Sequence, residues 1–63
     1  MTNIRKIRRA CGVSVVDLAA ATNLTTASIY RYEQGKRVPT LTTSAKIAEA
    51  LGCTVDDLLR KEG

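Results

Sequence analysis

The sequence contains no histidine, no tryptophan and no phenylalanine, and only one proline. Without imidazole, Ser14 has no base partner and no residue pair has the makings of a nucleophile and its activator, which disfavours an enzyme. Two tyrosines are the only aromatic residues, so the core must be aliphatic. The two cysteines, Cys11 and Cys53, stand far apart in sequence and lack histidine company, so they form no metal motif. Both fall at apolar positions of expected helices and read as small buried hydrophobes, unpaired thiols that suit a reducing cytoplasm. No run approaches the roughly 20 apolar residues that span a bilayer. The apolar stretch 13–21 is interrupted by Ser14 and Asp17, and the basic N-terminus lacks the apolar centre of a secretion signal. The expectation is a cytoplasmic protein with no membrane partner, no metal or other cofactor, and no small-molecule ligand.

What is present is charge, unevenly spread. The net charge is +4 over 63 residues, which is room for one domain, residues 1–63. A chain of this size buries roughly 60% of its unfolded surface, so its core is marginal and a deep cleft is not expected. Residues 1–37 carry seven bases and two acids, a net of +5, and residues 38–63 three bases and four acids, a net of −1. A basic half of this kind is either a solvated surface or an attractor for a polyanion.

The remaining signal is dense helix punctuation. Ile4, Ile7 and Cys11 recur on one helical face, and Gly12 can end that helix with a positive φ. Ser14 opens a second helix through a capping box with Asp17, running to about Thr22 with Leu18 and Ala19 inward. Asn23 follows, one of the few residues besides glycine at home in the left-handed region, and marks a sharp turn. Thr25 starts a third helix, with Ile29 and Tyr32 on one face and Gly35 as its stop. Lys36, Arg37, Val38 and Pro39 form a basic loop. Thr40 caps a fourth helix with Leu41, Ala45, Ala48 and Leu51 inward and Ile47 beside them. Gly52 ends it. Thr54 and Asp57 open a short last helix that buries Val55 and Leu58, with Leu59 a further candidate for burial. The expected fold class is all-α, five short helices joined by loops of two to five residues.

The informative object is the pair of helices on either side of Asn23. Small Ala19 permits a close crossing, Asn23 supplies the turn, and Leu18, Ile29 and Tyr32 supply a shared core. This is the spacing of a helix-turn-helix, whose second helix enters the major groove. With Ile29 and Tyr32 inward, Thr26, Ala27, Tyr30 and Arg31 face outward. Arg31 can pair bidentately with guanine O6 and N7, and Ala27 and the Thr26 methyl suit a thymine methyl. Tyr30 can meet a base, a sugar or a phosphate. Lys36 and Arg37 lie just past the helix end, where phosphates would pass. The Ser14 cap leaves free backbone N–H groups, including that of Val15, at the start of the second helix, a natural phosphate site. Thr25 joins the base-reading set and Ser28 the phosphate set.

The run Gly12-Val13-Ser14, Leu18-Ala19, Ile29 to Arg37, Pro39 and Lys46 to Gly52 resembles the phage-repressor/Cro-like helix-turn-helix family. The likeness extends from about Ile4 to Leu59, and the Tyr32-Glu33-Gln34-Gly35-Lys36 run followed by Pro39 is its most specific part. The resemblance implies a five-helix, lambda-repressor-like domain that binds operator DNA as a two-fold dimer, with residues 25–34 as the recognition helix. It places Gln34 among the phosphate contacts. It pairs Arg8 with Glu33 as a largely buried, mainly structural ion pair, with phosphate contact open to Arg8. It puts the dimer surface at the C-terminal end, making Val55 and Leu59 candidates.

Some positions depart from the family pattern. Val15 stands where many members carry glutamine, and with Val16 reads as an exposed apolar residue. Ser44 and Ala45 stand where leucines are usual, which predicts a thinner core around the fourth helix, and Thr22 replaces an apolar residue. Asp56 and Asp57 read as first-turn acids complementing a helix dipole rather than paired catalytic carboxylates. Two functions stay open: a sequence-specific transcriptional regulator binding double-stranded DNA as a homodimer, or a protein-interaction module or antitoxin-type partner using the same fold.

Overall fold

The computed structural model describes residues 3–59, so the chain's first two and last four residues, including Arg60, Lys61 and Glu62, lie outside it. Among the described residues there are five helices and no strand: α1 (Ile4–Ala10), α2 (Val15–Thr22), α3 (Thr26–Glu33), α4 (Leu41–Leu51) and α5 (Val55–Leu59). A side-chain hydroxyl starts each of the last four. Ser14, Thr25, Thr40 and Thr54 accept the backbone N–H of Asp17, Ser28, Thr43 and Asp57, each three residues on, at 3.0–3.2 Å. Each cap satisfies a donor that the helix itself leaves free. At Thr54 the Asp57 carboxylate returns the bond by accepting the Thr54 N–H at 3.3 Å. At Ser14 no such return from Asp17 is found among the described residues, so that capping box is half formed.

The first four helices end by one device. A left-handed residue (Gly12, Asn23, Gly35 or Gly52) turns the chain. The next residue's N–H then reaches back five positions: Val13 to Arg8 O, Leu24 to Ala19 O, Lys36 to Arg31 O and Cys53 to Ala48 O, at 2.9–3.1 Å. This is the Schellman ending. Asn23 is the one non-glycine in the set, at φ 57°, where a branched residue would be strained.

Each helix gives the core one fully buried aliphatic side chain: Ile4, Leu18, Ile29, Ile47 and Leu58. Burying each is worth roughly 1.5–3 kcal/mol. Helix α2 lies in the middle, against α3 and α4, while α5 packs on α4 and α1, and α1 also meets α3. The buried stripes of α2 (Val15, Leu18, Ala19, Thr22) and α4 (Ser44, Ile47, Ala48, Leu51) share one i, i+3, i+4, i+7 pattern. Small residues within both let the two helices approach closely. The Asn3 N–H donates to Leu58 O at 2.7 Å and its amide to Asp57 O at 3.3 Å, tying the start of α1 to α5.

Four expectations about burial are corrected. Val15 is buried, because the α2 stripe begins with it. In α4 the inward register runs through Ser44, so Ala45 faces solvent. Leu41 lies in the first turn, beyond what covers the stripe, and is 76% exposed. Cys11 is exposed because α1 ends before it; its thiol instead donates to Leu51 O at 3.4 Å, at the end of α4. Cys53 is half-buried, and burial, with Asp57 nearby, pushes its thiol pKa up. Thr22 is buried, but its hydroxyl donates to Leu18 O at 2.7 Å and so is satisfied.

Ser44 is not satisfied. It is 1% exposed and its Oγ has no hydrogen-bond partner among the described residues. An orphaned buried hydroxyl costs about 1–3 kcal/mol, and alanine also favours helix. Ser44→Ala is therefore expected to raise stability by about 1 kcal/mol, read as a rise of about 4–8 °C in the thermal midpoint. A lower midpoint would show that the hydroxyl is bonded in solution.

Candidate nucleic-acid interface

Helix α3 separates two faces by its own periodicity. Ile29, Tyr32 and Glu33 are buried, whereas Thr26, Ala27, Tyr30 and Arg31 are exposed, with Thr25 and Gln34 exposed at its two ends. Ala27, Tyr30, Arg31 and Gln34 follow one another at i, i+3, i+4, i+7 and form a single outward stripe. The Thr25 hydroxyl accepts the Ser28 N–H at 3.1 Å and donates to the Ser28 hydroxyl at 3.0 Å, which holds the first turn and leaves Ser28 half-buried. The first turns of α2 and α5 carry acids, but that of α3 carries none. The only acid in α3 is Glu33, and it points inward. The outward face thus presents a positive helix end and one guanidinium, with no carboxylate to repel an anion.

The C-terminal end of α3 differs from the others. At the matching position after α1, α2 and α4 stand Val13, Leu24 and Cys53, all partly buried against the core. After α3 it is Lys36, which is exposed. The N–H groups of Lys36 and Arg37 both donate to the Arg31 carbonyl, at 3.0 and 3.4 Å. The backbone that carries the two loop cations is thereby tied to the residue bearing the exposed guanidinium of α3. Where three helix ends are stapled by an apolar residue, this one offers a cation beside the outward stripe.

Behind α3 lies an ion pair that links it to α1. Arg8 Nε donates to Glu33 Oε2 at 3.0 Å and Nη2 to Oε1 at 3.1 Å, a bidentate fork. The third donor, Nη1, meets Val13 O at 3.0 Å. The two side chains are 11% and 5% exposed. One guanidinium thus joins α1, the turn before α2, and the C-terminal end of α3.

At the start of α2, the Leu18 N–H makes the first helical bond, to Ser14 O, and the Asp17 N–H is taken by the Ser14 hydroxyl. The N–H groups of Val15 and Val16 precede these, although the Val15 side chain itself is buried. Between α1, this end of α2 and α3 opens a cleft of about 690 Å³. Ser14, Val15, Tyr30 and Gln34 line it, with Arg5, Arg9 and Val16, residues to which the sequence assigned no part in DNA binding. Only the crossing of α1 over α3 brings them together.

Of the dimer candidates, Leu59 is exposed, while Val55 is half-buried and packs on the core. The structure adds two exposed apolar residues at the α3–α4 connection, Val38 and Leu41. Among the described residues there is no helix long and apolar enough to cross a membrane and no cluster of three or more metal-ligating side chains.

A family model described as helix-turn-helix fits residues 4–58, which is nearly the whole described chain. No curated protein matches the chain significantly.

Proposed function

We propose, on the premise that this chain belongs to the Cro/C1-type helix-turn-helix family and is a DNA-binding regulator, that it is a repressor that reads operator DNA through α3 as a homodimer. The observation that carries this reading is the outward stripe of α3: exposed, free of acids, and followed by two cations whose backbone N–H groups bond to Arg31 O. Arg31 reads a guanine, Thr26 and Ala27 meet thymine methyls, and Thr25 and Tyr30 complete the base-facing set. Lys36, Arg37, Gln34, Ser28 and the Ser14–Val15 end of α2 hold phosphates on either side. The ion pair of Arg8 and Glu33 keeps α3 at its angle and touches no base.

Size supports a dimer. The described residues extend 28 Å at most, and half-sites one helical turn apart are ~34 Å apart, so two copies are needed to read both. Leu59 and Val55 near the C-terminal end are the proposed contact. The test is selection of bound duplexes from a random library, followed by binding to a selected duplex at several salt concentrations. The regulator recovers a two-fold sequence and binds it with a steep salt dependence. Lys36→Ala is expected to weaken binding evenly across sequences and to flatten the salt slope by about one. Recovery of no sequence, together with salt-insensitive capture of a protein partner, would instead identify an interaction module.

A further inference from the structure

We propose that the DNA backbone held at Ser14, Val15 and Gln34 continues along the cleft between α1 and α3, with Arg5 and Arg9 as its cationic wall. The inference rests on the functional reading above and enlarges its footprint to α1, a helix outside the helix-turn-helix pair.

The first argument is that local stability does not explain Arg5. A cation in the first turn of a helix faces the positive end of the dipole, and α1 has no acid there to offset it. Arg9, four residues on, falls on the same face and adds like-charge repulsion. Both are exposed, and neither has an acidic partner among the described residues, where the only ion pair found is that of Arg8 with Glu33. Arg9 sits in the last turn, where the dipole favours a cation, but Arg5 does not, and an anion beside Arg5 would offset its cost.

The second argument is the charge of the cleft. Three arginines and one acid line it, and that acid is engaged by Arg8 through both oxygens. The net charge of the wall is therefore about +2, carried by Arg5 and Arg9. Four residues of helix rise about 6 Å, which spans about two nucleotides at ~3.4 Å of axial rise each.

The third argument selects a polynucleotide over a free anion. The opposite side of the cleft carries Val16, 65% exposed, and Tyr30, 51% exposed. An inorganic phosphate has no use for these, whereas a sugar–phosphate strand sets apolar deoxyribose between its charges. Tyr30 and Gln34 belong both to the cleft and to the outward stripe of α3, so a strand leaving the reading helix passes directly into it.

The test uses the duplex selected with the unaltered protein. The Arg5→Ala/Arg9→Ala double variant is expected to lower the slope of log affinity against log salt by about two, at roughly 0.9 per phosphate released. Its base preference stays as in the parent, its thermal midpoint rises slightly as the unfavourable charges are removed, and Arg5→Lys/Arg9→Lys restores most of the slope. If the parent binds the duplex and the alanine double variant keeps the parent slope, the proposal is overturned while the α3 reading stands. If the parent shows no salt-dependent DNA binding, the α3 reading falls and the cleft assignment falls with it.

Discussion

Replacing Glu33 with alanine is expected to cost about 3–5 kcal/mol of folding free energy, because it strands a buried guanidinium. Arg8 would keep its bond to Val13 O but lose both carboxylate bonds, in a site where its side chain is 11% exposed. Escape to solvent is hindered by the Val13 contact, and α1 would have to move off α3 to rehydrate the charge. Domains have total stabilities of about 5–15 kcal/mol, and one of this size belongs near the bottom of that range. The variant should therefore lose most of its helical circular dichroism at low urea.

Removing the charge altogether should do less harm. The double change Arg8→Met with Glu33→Leu is expected to recover most of the loss, since a buried pair contributes little net stability against apolar residues of similar volume. Urea unfolding of the three proteins decides the matter. A loss below about 1 kcal/mol for Glu33→Ala would place the pair with exposed salt bridges and remove its part in orienting α3.

The second large effect concerns specificity rather than stability. Arg31→Ala is expected to erase preference at one base pair of each half-site, by about 1–3 kcal/mol or roughly five- to 150-fold. The residue is exposed on the outward stripe, so the fold should be unaffected. Its carbonyl, which accepts from Lys36 and Arg37, is kept in alanine, so the cationic loop should stay in place. Selection from a random library, repeated with the variant, reads the outcome position by position. Retained preference at every position would move base reading away from Arg31, leaving Thr25, Thr26, Ala27 or Tyr30 to supply it. The contrast with Lys36→Ala is diagnostic, because that change should lower affinity for all sequences alike.

The helix limits were legible in the sequence because they rest on local chemistry. A hydroxyl three residues before its bonding partner, or a glycine or asparagine at the end of an apolar stripe, acts through bonds within six residues. Ser14, Thr25, Thr40 and Thr54 at the starts, and Gly12, Asn23, Gly35 and Gly52 at the ends, all work this way. The outward position of Thr26, Ala27, Tyr30 and Arg31 was equally legible, since it follows by helical period from inward Ile29 and Tyr32.

Burial at helix ends was not legible, because it depends on how far the neighbouring helix reaches. Leu41 is apolar and nearly in the angular stripe of Ala48, yet its turn is uncovered. Val15 was read by comparison with a polar position in related sequences, although the stripe Val15, Leu18, Ala19, Thr22 would have placed it inward. Cys11 extends the face of Ile4 and Ile7 by period, but α1 stops one residue short of it. The cleft walled by Arg5 and Arg9 was hidden for a different reason. It arises from the crossing of two helices that lie about 25 residues apart in sequence. Arg5 and Arg9 there look like any other solvated charges until α3 is laid beside them.

Amide chemical shifts of the ¹⁵N-labelled protein, followed while a selected duplex is titrated in, test the placement of α3 most directly. The account predicts the largest changes from Thr25 through Arg31, with further changes at Ser14 to Val16 and at Lys36 and Arg37. Changes centred on Val55 to Leu59, with Thr26 to Arg31 unmoved, would contradict it.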